Sequence, residues 1–351
     1  MKKVKILLCC ILDGNLGDAV IADCTKYILE NILNQMNVLY EITIFEYMKK
    51  SIRNVEDYNL IVFSGGGIIK FKYQKFYEKI SELLEGANRK SIPVIFNAIG
   101  VEGFDENDEK CRMLKDAINL PCVKAISTRD DIQTLKDRYI INSQIRVNRV
   151  ADSATWTKCV YDIKTKRTDY VGLGVIREGI FESNGINIAR QQIFELWKNI
   201  ISELERRNIK WKIFTNGWSS DMKFAINLMK YLKREDEIEM LVIKEPKTAR
   251  ELVTTISKFR GIVASRLHAN IISYALDIPT VGIIWNDKCR FWAENIGYPE
   301  RFFDIYNFDA DRIVTELEKA INEGYIKIDK AKYMRTVYDE LEIVIQNILQ
   351  I

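Results

Sequence analysis

The sequence predicts an α/β protein of two domains, each built on a mostly parallel sheet. Short apolar runs alternate with amphipathic stretches along nearly the whole chain, as when crossover helices bury strands on both faces. The series stops at a polar, lysine-rich interruption, ADSATWTKCVYDIKTKRTDY, and then restarts. A length of 351 residues exceeds one ordinary domain and suits two. These observations give two Rossmann-like domains facing a cleft, residues 1–160 and 161–351, with the boundary near 155–168.

KVKILLCCIL reads as a continuous buried first strand. Behind MKK it imitates a signal peptide, but the apolar run covers only residues 4–12. It lacks a small-x-small cleavage site and runs straight into DGNLGD. GDAVIADCTKYILENILNQM follows with apolar residues at helical spacing. Next come VLYEITIF, YNLIVFSGGG, a helix near 74–86, IPVIFNAIG, a helix near 107–119, VKAISTRD, a helix near 130–138 and SQIRVNRVAD. The second series has YVGLGVIREG, a helix near 187–207, KWKIFTNG, a helix near 220–233, the strand MLVIKEP, a helix near 248–259, GIVASRLHA and PTVGIIW. The C-terminal stretch KYMRTVYDELEIVIQNIL is an amphipathic helix, expected to pack back on the first domain or to touch a membrane surface.

Composition narrows the function. Hydrophobic residues at 47% and charged residues at 29% describe an ordinary soluble globular chain. A net charge of +3 is too small to argue for nucleic acid, so an anionic partner must meet a local cluster. No stretch approaches the roughly 20 apolar residues needed to span a bilayer. Seven cysteines, scattered through apolar segments with no CxxC pair, suggest buried free thiols in a reducing cytoplasm and no metal site.

Ligands of open α/β sheets bind outside the carboxyl ends of the strands, so those ends carry the candidates. The first strand runs into LDGNLGDAV, where Gly14 and Gly17 permit a tight turn and Asp18 is placed to cap the next helix. Either this is a capped turn, or Asn15 and Asp18 hydrogen-bond a hydroxylated substrate. VFSGGGII brings Gly65 and Gly66 to the third strand's end, as a packing turn or a binding loop. In the second domain the ends leave Arg177, then Asn216 and Gly217 with Trp218, then Arg266 and His268, then Lys288 and Arg290. His268 is the chain's single histidine. Arginine's planar fork suits carboxylate and phosphate, and the helix opened by RLHANIISYAL points its N–H groups the same way. Together they describe a pocket for a small, highly charged anion.

GNLGDAVI, SGGG, ISTRDD followed by VADSATW, Arg177, SRLHANIISYALDIPTVGI and Lys288 occur in that order. Together they resemble the polysaccharide pyruvyltransferase family over roughly residues 8–295. The resemblance implies a GT-B-like architecture and transfer of the enolpyruvyl carbons of phosphoenolpyruvate onto a sugar as a ketal, with release of phosphate. It implies His268 and Arg266 as catalytic residues, with Arg177, Arg266 and Lys288 around the donor, to which the strand-end reading adds Asn216 and Gly217. On the acceptor side, in the first domain, it implies GNLGD with Asn15 and Asp18, to which the strand-end reading adds Gly65 and Gly66. Phosphoenolpyruvate is then a co-substrate, no cofactor or metal is needed, and the acceptor is an oligosaccharide or lipid-linked glycan of a cell-surface polysaccharide. The expected location is cytoplasmic, at most peripheral to the membrane.

That chemistry needs an acid–base group near neutrality, the range in which an ordinary histidine titrates. The expectation is that His268 becomes protonated mainly when the anionic donor is bound. The alternative is a GT-B-type nucleotide-sugar glycosyltransferase, which needs a carboxylate for the ribose; Glu294 and Asp304 are candidates that nothing singles out. A carbohydrate-binding protein without activity is a third class, but neutral sugars do not call for several cations.

Overall fold

A computed structural model describes residues 3–12, 14–49, 54–70 and 75–350. The chain divides into two compact units. The first comprises Met1–Asp13, Asp18–Ser153 and Ala331–Ile351; the second comprises Gly14–Gly17 and Ala154–Lys330. Every strand pairing among the described residues is parallel.

The first unit holds β1 (Val4–Cys10), α1 (Leu16–Gln35) from Asp18 onward, β2 (Tyr40–Glu46), β3 (Leu60–Phe63), β4 (Gly66–Ile69), α2 (Tyr77–Arg89), β5 (Val94–Val101), α3 (Glu109–Ile118), β6 (Val123–Thr128), α4 (Ile132–Thr134) and β7 (Arg146–Arg149). Its sheet runs β2-β1-β3-β5-β6-β7, with β4 also paired to β5. β1 and β3 lie inside the sheet, so their apolar residues are buried on both faces, whereas edge strand β2 is half-exposed throughout. Phe63 and Phe96 stack at 4.3 Å across the sheet's core, and Tyr47 meets Phe63 edge-on.

Ser64 and Gly65 of SGGG separate β3 from β4, which opens at Gly66. Gly65 and Gly66 take φ of +115° and +89°, which only glycine adopts cheaply. A side chain at Gly65 would meet the carbonyl oxygens of Asn97 and Ala98 at 3.3 Å. There β5 shifts register against β6 between Phe96 and Ile99, and Ala98 takes φ of +49°. Irregularities of this kind re-aim side chains beside functional sites.

The second unit holds α5 (Thr157–Tyr161), β8 (Val171–Gly174), α6 (Gly179–Ser183), α7 (Arg190–Arg206), β9 (Trp211–Phe214), α8 (Ser219–Tyr231), α9 (Ile238–Leu241), α10 (Ala249–Ser257), β10 (Gly261–Ala264), α11 (Leu267–Ala275), β11 (Thr280–Ile284), α12 (Asp287–Asn295), β12 (Phe302–Asp304) and α13 (Ala310–Glu323). Its sheet runs β12-β11-β10-β8-β9. α11 is buried from His268 to Ala275, in keeping with a mainly apolar sequence that still buries His268, Asn270 and Ser273. At its end, Lys330 donates to the carbonyls of Tyr274 and Ala275, a cation where the helix dipole favours one.

α14 (Lys327–Leu349) closes the chain. Within the first unit it buries Val337, Tyr338, Leu341, Val344 and Ile345. Tyr338 Oη donates to Gln35 at 2.7 Å, and Arg146 grips Glu340 through two bonds at 2.6 and 2.9 Å.

Three expectations are corrected. MLVIKEP forms no strand: α9 ends at Leu241, and Val242 makes a single bridge to Ile213 at the free edge of β9. The helix expected near 130–138 is only the short α4 followed by a wider π turn, Leu135–Tyr139. Of the seven cysteines, all free thiols, six are buried but Cys159 is exposed.

Candidate functional site

In the second unit the residues converge on one carboxylate. β10 ends at Ala264, and Arg266 stands in extended backbone just before α11, where it opens the helix without a side-chain cap. Its guanidinium reaches instead to Asp221 in the first turn of α8: Nε donates to Oδ2 and Nη2 to Oδ1, both at 2.7 Å. Arg177 adds its backbone N–H to Oδ1 at 3.1 Å. The Asp221 side chain has no exposure and that of Arg266 only 11%, so this is a desolvated pair. Burial pushes the Asp221 carboxyl above its ordinary range, against the opposing pull of Arg266 and Arg177. The Arg177 guanidinium lies 5.2 Å from the Trp218 ring, which holds it as a cation over a π face.

The Gly14–Gly17 loop belongs to this unit. Asn15 Oδ1 accepts the Gly17 N–H at 3.3 Å, and the Leu16 N–H donates to the Asn216 carbonyl at 3.2 Å. Gly217, at φ +98°, lies under Leu16: an added Cβ would come within 2.6 Å of its side chain. Gly17 packs on the imidazole of His268, which is 7% exposed. The Asn216 side chain is 1% exposed, and neither of its amide atoms has a partner in the protein; the neighbouring Thr215 hydroxyl is in the same state. Such groups cost about 1–3 kcal/mol each when left unsatisfied, so a buried amide with no bond on either atom suits a ligand-binding position.

A second group gathers in the first unit at the strand ends. Asp18 Oδ1 lies 3.8 Å from where a Gly66 Cβ would stand, and its charge acts on Arg129. Arg129 pairs with Asp152, and both are buried. Asp130 Oδ1 accepts from the backbone of Val101 (2.8 Å) and Asp131 (2.9 Å) and from the Thr128 hydroxyl (2.8 Å), while Oδ2 has no partner. Burial raises the Asp130 carboxyl to about 6, against the neighbouring Arg129 charge and those bonds.

Of the sequence candidates, the structure brings Arg177, Arg266, His268, Asn216, Gly217 and Asn15 into the second unit's group, and Asp18, Gly65 and Gly66 into the first's. Lys288 sits in the first turn of α12, beyond the end of β11, and Arg290 on the same helix faces Asp304 at 3.4 Å. β8 closes at Gly174, so Arg177 lies three residues past the strand rather than at its end. Asp18 is not the cap of α1: the helix begins at Leu16, Asp18 falls in its first turn, and Asn15 does the capping. The Nε and Nη2 side of Arg266 is committed to Asp221, so its fork is not wholly open to a ligand as the sequence suggested. Sequence reasoning missed Asp221, Arg129, Asp130 and Asp152. They stood in NGWSSD, ISTRDD and VADSATW, with no local sign of their partners.

Among the described residues, no group of three or more His, Cys, Asp or Glu side chains is placed to hold a metal ion. None of the described helices is long and apolar enough to cross a membrane.

The family model described as polysaccharide pyruvyl transferase matches residues 15–287. No curated protein matches the chain. Among solved structures, the UDP-GlcNAc 2-epimerase of Methanocaldococcus jannaschii is similar at a TM-score of 0.64 and 12% identity, over 98% of this chain and 99% of that one. The Neisseria meningitidis UDP-GlcNAc 2-epimerase gives 0.53 and 10%, over 99% and 100%. The α,α-trehalose 6-phosphate synthase of Burkholderia multivorans gives 0.55 and 8%, over 100% and 99%. At such identities the likeness is one of fold, and the fold class is GT-B.

Proposed function

Because the chain belongs to the polysaccharide pyruvyl transferase family, we propose that it transfers the enolpyruvyl group of phosphoenolpyruvate to a sugar, forming a pyruvate ketal and releasing phosphate. The observation that carries this reading is the placement of the chain's single histidine in the first turn of α11, two residues from Arg266 of the Arg266–Asp221 pair. A helix N-terminus, a held guanidinium and an imidazole are the groups that seizing and protonating a compact anion requires.

The His268 imidazolium gives its proton to the methylene carbon of phosphoenolpyruvate, and a sugar hydroxyl oxygen bonds to the adjacent carbon, its proton passing to the imidazole. The bond from that carbon to the phosphate oxygen then breaks. A second hydroxyl bonds to the carbon and closes the ketal, and its proton leaves with the phosphate. Arg177 and Arg266 meet the donor's carboxylate and phosphate, with Asp221 fixing the orientation of Arg266. Asn216 and Gly217 line the donor's place, and Lys288 adds charge. Asp18, Gly65, Gly66 and Asn15 are assigned to the hydroxyl-rich acceptor, whose protons suit carboxylate and amide acceptors. The reaction as written needs no resident metal or cofactor. An oligosaccharide or lipid-linked precursor of a cell-surface polysaccharide is the acceptor class, and a cytoplasmic enzyme, at most peripheral at the membrane, would meet both substrates.

The GT-B fold also favours a second reading, a nucleotide-sugar enzyme, since solved neighbours of that fold hold UDP-GlcNAc. Calorimetry separates the two. Binding of phosphoenolpyruvate without binding of uridine diphosphate supports the pyruvyl transferase; the reverse result favours the nucleotide-sugar enzyme.

A further inference from the structure

We propose that Gly17 is a positioning residue for this reaction: its absent side chain seats the His268 ring by its Nδ1 edge and assigns proton exchange with the donor to Nε2. The inference rests on the reading of His268 as the acid–base group and deepens it.

A Cβ built on Gly17 would stand 2.5 Å from Cβ, Cγ and Nδ1 of His268, far inside van der Waals contact. One of those atoms is the histidine's own Cβ, fixed by the backbone, so rotating the ring cannot relieve the clash. Either the loop or α11 must shift. Nothing else at position 17 calls for glycine. The residue is the second of α1, in ordinary helical backbone with no positive φ, where alanine would be the better helix former by roughly 0.5–1 kcal/mol. Gly14, in the same turn, has the opposite profile: φ of +99° and nothing within 4 Å of an added Cβ. One glycine makes the turn, the other makes room for the imidazole.

The seat is itself anchored. The Leu16 N–H holds the Asn216 carbonyl at 3.2 Å, Gly217 closes under the Leu16 side chain, and Asn15 ties back to the Gly17 N–H at 3.3 Å. The loop is thus fixed to the strand-end residues of β9 while it bears on the ring from α11. Of the two ring nitrogens, Nδ1 is the nearer to a Cβ added at Gly17, so the proposal gives the exchange to Nε2.

The chain contains one histidine, so its ring signals in nitrogen-15 and carbon-13 magnetic resonance need only be told apart by atom, not by residue. Gly17→Ala is expected to displace those signals in the unliganded protein and to lower kcat by roughly 10²-fold, the scale of an approximately 1 Å misplacement. KM for phosphoenolpyruvate should change less than threefold. Gly179→Ala, whose added methyl meets nothing within 4 Å, should leave both unchanged. In the wild-type protein, phosphoenolpyruvate should move the Nε2 signal much further than the Nδ1 signal. An unliganded Gly17→Ala spectrum superimposable on wild type, or a larger donor response at Nδ1 than at Nε2, overturns the proposal. If Gly17→Ala fails to fold, the wild-type Nε2 and Nδ1 responses still decide it. Absence of both turnover and any donor response in the wild type instead defeats the pyruvyl-transfer reading. The unliganded comparison would then still report on the seat.

Discussion

Asp221 takes up one side of the Arg266 fork and one backbone N–H of Arg177, so a buried carboxylate stands among the cations proposed to bind an anion. That arrangement fixes a guanidinium before the ligand arrives, which reduces the ordering needed on binding. Two outcomes follow at this scale. His268→Ala should lower kcat by about 10²–10⁴-fold, measured by phosphate release, while binding of phosphoenolpyruvate by calorimetry changes little. Asp221→Ala should cost about 3–5 kcal/mol in urea unfolding, because it removes the buried carboxylate that Arg266 pairs with. Asp221→Asn should be milder in stability yet still reduce kcat/KM, by loosening the fork. The sequence showed the candidates but not this partnership. Asp221 and Arg266 lie 45 residues apart, and no local pattern announces which carboxylate turns inward.

The elements themselves were more legible. β1, β3, β5, β10 and β11 read directly as apolar runs because a central parallel strand is buried on both faces. MLVIKEP failed at the free edge of β9, where nothing beyond a single bridge rewards extended backbone. β12 went unread, since three residues carry no period. The polar cluster after β6 gives the element-scale predictions. Removing either partner of the buried Arg129–Asp152 pair should destabilise the protein by about 3–5 kcal/mol. Asp130 sets a pH dependence. Its ordinary value of 3.8 rises to about 6 in the folded chain, so between those pH values the native state holds a proton that the unfolded state has released. Stability therefore falls as pH rises through that window, the sign opposite to that of a salt-bridged carboxylate. Asp130→Asn keeps an acceptor oxygen for the three bonds and should flatten the slope, read as the wild-type-minus-variant difference in unfolding free energy at pH 4 and pH 7. An unchanged difference would mean that Asp130 ionises normally in the fold.

At the scale of the whole molecule, the two parallel sheets and the match over residues 15–287 give the GT-B class and the family, and the order of motifs along the chain had already suggested both. What the order could not show is that Gly14–Gly17, from the start of the chain, falls with the second compact unit. That grouping depends on contacts with Asn216, Gly217 and His268, residues far away in sequence. The central claim is that this imidazole protonates phosphoenolpyruvate on the way to a ketal. Its most direct measurement is phosphate release from phosphoenolpyruvate against a panel of free and lipid-linked glycosides, with His268→Ala beside the wild type. The account predicts acceptor-dependent release that falls by about two to four orders of magnitude in the variant. Undiminished release from His268→Ala would contradict it.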